Sequence, residues 1–274
     1  MIDEFLAHDL SAVEEAVREA AAVEIMPRFR QLADHEVDQK SGPHDLVTVA
    51  DRRAEEYLTA ALTKLLPGSA VVGEEAVHAD PTVYEALRAD APVWIVDPVD
   101  GTRQFVAGDP HFCTLVALAV RGEILASWTF APALDELATA VRGRGAHVNG
   151  ARIHSGSPEA GADLRIAMAH PLYTSQEDKR RLARLDVPGV AARPCGSAGL
   201  EYLKVARGEM DGLAFTWPSA WDHAAGLLLV AEAGGAQTTV DGVPFRVDRD
   251  NALPFAVGRD EATAVRIRDL LRGA

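Results

Sequence analysis

Cysteine is nearly missing from this 274-residue chain: Cys113 and Cys195 are the only two, and they form no CxxC pair. That excludes a disulfide framework and a cysteine-held metal, and the two read as buried thiols in a reducing, cytoplasmic setting. Positive charge is short as well. The chain has 27 Lys and Arg against 41 Asp and Glu, a net charge of −14, and no Lys/Arg-rich run. A surface of that sign repels a phosphate backbone, so nucleic acid is excluded as a partner. Long apolar runs are absent too. The longest, around Gly226–Ala231, is far too short to span a bilayer, and the start, Met1-Ile2-Asp3-Glu4, is acidic where a secretion signal carries positive charge. HExxH, a Walker A sequence and any Gly-Lys dipeptide are missing. Gly143-Arg-Gly145 lacks the third glycine of a dinucleotide fingerprint, and Cys195-Gly196-Ser197-Ala198-Gly199 is not a nucleophile elbow.

What is present is enough chain for one large or two closely joined domains. Ser11-x-x-Glu14 has the capping-box pattern, and Val13, Val17, Ala21 and Ile25 follow at helical spacing before Pro27. A second helix is expected from about Asp51 to Leu66, ended by Pro67-Gly68. Between them Lys40-Ser41-Gly42-Pro43-His44-Asp45 reads as a polar, mobile breaker. From Ala70 the period shortens to that of strands: Ala70–Val72, Val93–Val96, and an antiparallel meander of Phe112–Val120, Ile124–Phe130 and Glu136–Val141. Asn149-Gly150 is the strongest hairpin signal. Thereafter strands at Leu164–Ala169, Val190–Pro194 and Gly212–Trp217 alternate with helices at Ser175–Leu185, Ser197–Arg207 and Trp221–Ala233. That alternation predicts an α/β unit over 149–274 behind an α+β unit over 1–148.

The chemistry lies in carboxylates at strand ends. Trp94-Ile95-Val96-Asp97-Pro98-Val99-Asp100-Gly101-Thr102 is a buried strand running into a tight turn, so Asp97 and Asp100 can converge on one cation. Gly101 lets backbone approach an anion, and Thr102 adds a hydroxyl there. Val71-Val72-Gly73-Glu74-Glu75 repeats the design, and Asp222 opens a helix after Trp221. Oxygen ligands without a His/Cys cluster favour Mg²⁺ or Mn²⁺ over Zn²⁺. Taken singly, each acid is most often a cap or turn residue. Glu75 reads as solvated, His223 as packing, and Trp94, Trp128, Trp217 and Trp221 as core.

In combination these segments are informative. Asp45-Leu-Val-Thr48-Val-Ala-Asp51, Gly73-Glu74-Glu75, Asp97-Pro-Val-Asp100-Gly-Thr102 and Trp221-Asp222-His-Ala-Ala-Gly226 occur in an order and spacing that resemble the inositol monophosphatase family of lithium-sensitive, Mg²⁺-dependent phosphatases. The likeness runs from about Ser11 to Gly258. It implies a layered αβαβα sandwich with an antiparallel N-terminal sheet, a cytoplasmic homodimer, and hydrolysis of a small phosphorylated metabolite with two or three Mg²⁺ per site, replaceable by Mn²⁺. It implies Glu74, Asp97 and the Val99 carbonyl as ligands of one metal, and Asp97, Asp100 and Asp222 as ligands of the second. Gly101 and Thr102 match a phosphate cradle. Thr102 paired with Asp51 resembles the couple that positions and deprotonates the attacking water, with Glu74 in the same catalytic set. Lys40 matches a mobile active-site loop, and Ser197 and Phe215 match substrate contacts.

Phe215 stands where relatives acting on inositol phosphate commonly carry glutamate. Phe215 and Trp217 alternate along a strand and so either line the pocket together or pack in the core. Arg103, after the Asp-Gly-Thr motif, is a variant also seen in histidinol-phosphate phosphatases of this family. Histidinol-phosphate phosphatase, 3′(2′),5′-bisphosphate nucleotidase and a regulatory binding protein therefore stand beside the polyol or sugar phosphatase reading.

Overall fold

Apolar residues four apart build the first helical layer. The computed structural model describes residues 2–8, 10–40, 42 and 44–273. Helix α1 (Ile2–Ala7) precedes α2 (Ser11–Ala20), which widens into a π-helical stretch over Ala21–Ile25. Val13, Val17, Ala21 and Ile25 are all buried. Leu10 holds the N-cap position, so the Ser11-x-x-Glu14 pattern begins one residue inside the helix. Strands β1 (Val37–Gln39) and β2 (Leu46–Thr48) form a small antiparallel ribbon. Ser41 and Pro43 of the breaker between them lie outside the described residues.

Helix α3 (Val49–Leu65) begins two residues before Asp51. Thr48 caps it, its hydroxyl accepting the Ala50 amide at 3.1 Å, while Asp51 reaches back to the Thr48 amide at 2.8 Å. Strand β3 (Ala70–Gly73), α4 (Glu74–Ala79) and a 3₁₀ segment, Pro81–Arg88, lead to β4 (Val93–Asp100). After α5 (Thr102–Val106) come β5 (Cys113–Val120), β6 (Glu123–Ala131), β7 (Glu136–Val141), β8 (Gly145–Val148) and β9 (Ala151–Ile153). These seven strands form one sheet in chain order. It is antiparallel except that β3 runs parallel to β4, which corrects the all-antiparallel expectation. The α4 crossover between them gives the chain length to return to the same edge.

β10 (Leu164–Met168), α6 (Gln176–Leu182), β11 (Val190–Pro194), α7 (Ala198–Ala206), β12 (Gly212–Phe215), α8 (Ala220–Glu232), β13 (Ala236–Thr239), β14 (Phe255–Gly258) and α9 (Glu261–Arg272) complete the chain. The second sheet has the order β11-β10-β12-β14-β13, parallel among its first three strands. Helices α2 and α3 cover one face of the first sheet, α7 and α8 fill the space between sheets, and α6 and α9 cover the far face. This is the αβαβα sandwich. Alternation along β4 serves both faces: Trp94 and Val96 pack under α2 and α3, whereas Val93 and Ile95 face α7 and α8. The expected division at 148/149 falls in the β8–β9 turn, where Asn149 and Gly150 have φ of 47° and 78°. The change of sheet comes after Ile153.

Candidate active site

Strand β4 carries carboxylates at its C-terminal end because its ladder with β5 is irregular between Asp97 and Asp100. The irregularity turns both acids toward the start of α8. Asp97, Asp100 and Asp222 each offer an oxygen, and the three lie within 4.8 Å of one another. Burial, then Glu74, Asp100 and Asp222, pushes Asp97 well above the usual carboxylate range. Asp222 is pushed up the same way, first by burial and then by Asp100 and Glu74. Burial also raises Asp100, less far, because four donors oppose it. These are Ser197 Oγ at 2.6 Å, the Gly199 and Ala198 amides at 2.7 and 3.1 Å, and the Cys113 thiol at 3.4 Å. Among the described residues none of the three aspartates has an ion-pair partner within 4.0 Å. Three clustered acids without a cation call for one, and an all-oxygen donor set fits a hard divalent ion.

Beside this cluster, Thr102 Oγ1 lies 3.0 Å from the Val99 carbonyl and 3.3 Å from Asp51 Oδ1. Asp51 is 1% exposed and also accepts the Thr48 hydroxyl at 2.6 Å. Burial raises its pKa to about 7, against the Thr48 hydrogen bonds and with help from Glu74 and Glu75. Gly101 has φ of 89°, and a Cβ there would stand 3.1 Å from Ser197 Cβ, so the turn into α5 requires glycine. Gly199 is equally constrained, since a Cβ would meet Leu115 Cδ2 at 2.5 Å and Cys113 Sγ at 2.7 Å.

Lys40 closes the other end. Its ammonium donates to Glu74 Oε1 at 2.6 Å and to Glu75, and these charges outweigh burial to hold its pKa above the ordinary value. Glu75 is expected from sequence to be solvated, and the structure corrects this: its side chain is 12% exposed and ion-paired with Lys40. Glu55, which no motif marks, accepts the Glu75 and Ala76 amides at 2.8 and 2.7 Å and so fixes the start of α4 and with it Glu74. Burial raises Glu55 to about 7.

A cavity of about 540 Å³ opens over these groups. Glu74, Asp97, Val99, Asp100, Gly101, Thr102, Asp222 and Lys40 all line it. Trp217 and Trp221 also line it, contrary to their reading as core, whereas Trp94 and Trp128 are buried as expected. Phe215 does not line it. It is fully buried, 4.5 Å from the Trp217 ring and stacked 5.4 Å from His223, because β12 ends at Phe215 and the alternation stops before Trp217. Ser197 is buried at the α7 N-cap, bonded to Asp100 rather than lining the cavity, so it shapes the site as a support. His223 bonds Tyr202 and the Trp217 carbonyl, and burial lowers its pKa to about 3, which suits packing. Arg103, His170 and Tyr173 line the cavity as well, and of these only Arg103 stands beside a motif.

Residues 6–267 match the model described as the inositol monophosphatase family. A Rhizobium meliloti inositol-1-monophosphatase is 40% identical over 219 residues, covering 78% of this chain and 79% of that relative. A Nus factor SuhB of Pseudomonas aeruginosa is 35% identical over 196 residues, 70% of this chain and 71% of that protein. Of solved structures, extragenic suppressor protein suhB from Bartonella henselae superposes with a TM-score of 0.82 at 29% identity, over 96% of this chain and 98% of its own. An IMPase of Thermotoga maritima does so with a TM-score of 0.79 at 26% identity, over 96% of each chain. Among the described residues no helix is long and apolar enough to cross a membrane.

Proposed function

The chain belongs to the inositol monophosphatase family and is a phosphoric monoester hydrolase, and from that premise we propose that it releases phosphate from a small metabolite with Mg²⁺ as its cofactor. The observation that carries this reading is the buried cluster of Asp97, Asp100 and Asp222. With Glu74 and the Val99 carbonyl, these residues would hold two or three Mg²⁺, or Mn²⁺ in their place. Divalent ions there supply neutralisation of phosphoryl charge and a lowered pKa for water. The chain's own groups do the rest. Thr102 Oγ1, between Val99 O and Asp51 Oδ1, orients an attacking water and passes its proton to Asp51. A carboxyl at about 7 is suited to take that proton near neutrality. The amides that follow Gly101 in the first turn of α5 face the charge that develops on the phosphoryl oxygens. Lys40, moving between Glu74 and the substrate, closes the cavity mouth.

The relatives' names make inositol 1-phosphate the first substrate to test, and the homodimer is part of the same proposal. The complete carboxylate set supports hydrolysis over a purely regulatory binding role. Phosphate release from inositol 1-phosphate and glycerol 2-phosphate should require Mg²⁺, stop in EDTA and return when Mg²⁺ is restored. Turnover that persists in EDTA, or no turnover on any phosphomonoester, would oppose the reading.

A further inference from the structure

Arg103 Nη2 lies 3.4 Å from His170 Nε2, at the rim of the cavity where both residues line it. Each ring nitrogen of His170 faces an N–H donor, and a neutral imidazole can accept only one of them. His170 caps the short turn Pro171–Tyr173, and its Nδ1 accepts the Leu172 amide at 3.2 Å. With Nδ1 accepting, the ring proton sits on Nε2, so a guanidinium N–H donor faces an imidazole N–H donor. Burial, with the charges of Arg103 and His44, lowers the His170 pKa, which favours the neutral ring. Among the described residues Arg103 has no carboxylate within ion-pair distance, in a chain with 41 acidic residues. Its neighbour Tyr173 donates its hydroxyl to the His44 carbonyl at 2.9 Å and carries no charge to pair with the guanidinium. Two converging donors, one permanently cationic, describe a half-built anion site.

We propose that Arg103 and His170 form a specificity subsite for an anionic oxygen on the leaving group, a carboxylate or a second phosphate, so that the preferred substrates are phosphomonoesters carrying a second negative group. This rests on the hydrolase reading and narrows it. An acceptor placed between Nη2 and Nε2 completes both donors at once, whereas a leaving group bearing an ammonium meets the guanidinium with like charge. A neutral polyol hydroxyl can accept there but leaves the guanidinium charge unpaired. Selection follows from groups left unpaired with the wrong substrate.

The test compares wild type, Arg103→Met, His170→Ala and His170→Gln on four substrates. These are glycerol 2-phosphate, 3-phosphoglycerate, fructose 1,6-bisphosphate and phosphoethanolamine. Wild type should favour 3-phosphoglycerate or the bisphosphate over glycerol 2-phosphate by at least about tenfold in kcat/KM, chiefly through KM, with phosphoethanolamine poorest. Whichever leads identifies the anion as carboxylate or phosphate. Arg103→Met should erase the preference, and His170→Gln, which keeps an N–H donor, should retain more of it than His170→Ala. A smaller preference, or Arg103→Met lowering all four substrates by one factor, overturns the subsite. Equal losses in the two His170 variants remove His170 from it. No turnover of any substrate strikes the hydrolase reading instead.

Discussion

Asp100, at the end of one sheet, accepts a 2.6 Å hydrogen bond from Ser197, the N-cap of the helix that opens the space between the two sheets. One hydroxyl thus serves two ends: it accepts the Leu200 amide at 3.3 Å and orients a carboxylate of the acidic cluster. The site is assembled across the layers by this link.

Ser197→Ala should therefore do two things. Loss of the cap lowers stability by about 1 kcal/mol. Loss of a donor raises the Asp100 pKa further and weakens its charge, so more Mg²⁺ is needed for half-maximal turnover. A thermal melt beside a Mg²⁺ activation curve checks both; neither moving would contradict the assignment.

Asp97→Asn and Asp222→Asn should each nearly abolish turnover without harming the fold. Each removes a charge that repels its neighbours, so in EDTA the variants should melt no lower than the parent. Full activity at any Mg²⁺ concentration would take that residue out of the site.

Burial of neighbouring acids sets a pH dependence. Asp51 and Glu55 titrate at about 7 in the folded chain, above the ordinary carboxylate values near 4 of an unfolded one. A raised folded pKa contributes stability that is complete below the unfolded value and is lost as pH rises to the folded one. The metal-free protein should thus lose melting temperature from about pH 4 to pH 7, and added Mg²⁺ should stabilise it more at pH 8 than at pH 5. Melting curves in EDTA that rise over that window would refute it.

Phe215 and Trp217 touch, yet substitution should separate them. Phe215→Ala opens a cavity in the core and should cost roughly 3–5 kcal/mol of stability. Trp217→Ala, at the cavity wall, should act mainly on KM. Paired denaturation and kinetic measurements distinguish them, and the reverse pattern would return Phe215 to the pocket.

Local order was legible in the chain. Val13, Val17, Ala21 and Ile25 announced one buried helical face, Asn149-Gly150 a hairpin, and the Asp97–Thr102 segment a buried strand that ends in clustered carboxylates. These readings rest on period and on turn chemistry, both of which act within a few residues. The parallel pairing of β3 with β4 was not legible, because register depends on what packs on either face.

The amino-acid order by itself determined which side chains are candidates for the chemistry: Asp51, Glu74, Asp97, Asp100, Thr102 and Asp222 stand in recognisable motifs, and all meet at one site. Only the tertiary structure decided what holds and surrounds them. Glu55 fixes Glu74 from 19 positions away, Ser197 fixes Asp100 from 97, and His170 meets Arg103 from 67. Phe215 and Trp217, two residues apart, part company between core and cavity at the end of one strand. A motif is a local pattern, but burial, donor pairing and the raised pKa values depend on which distant segments the packed layers bring together.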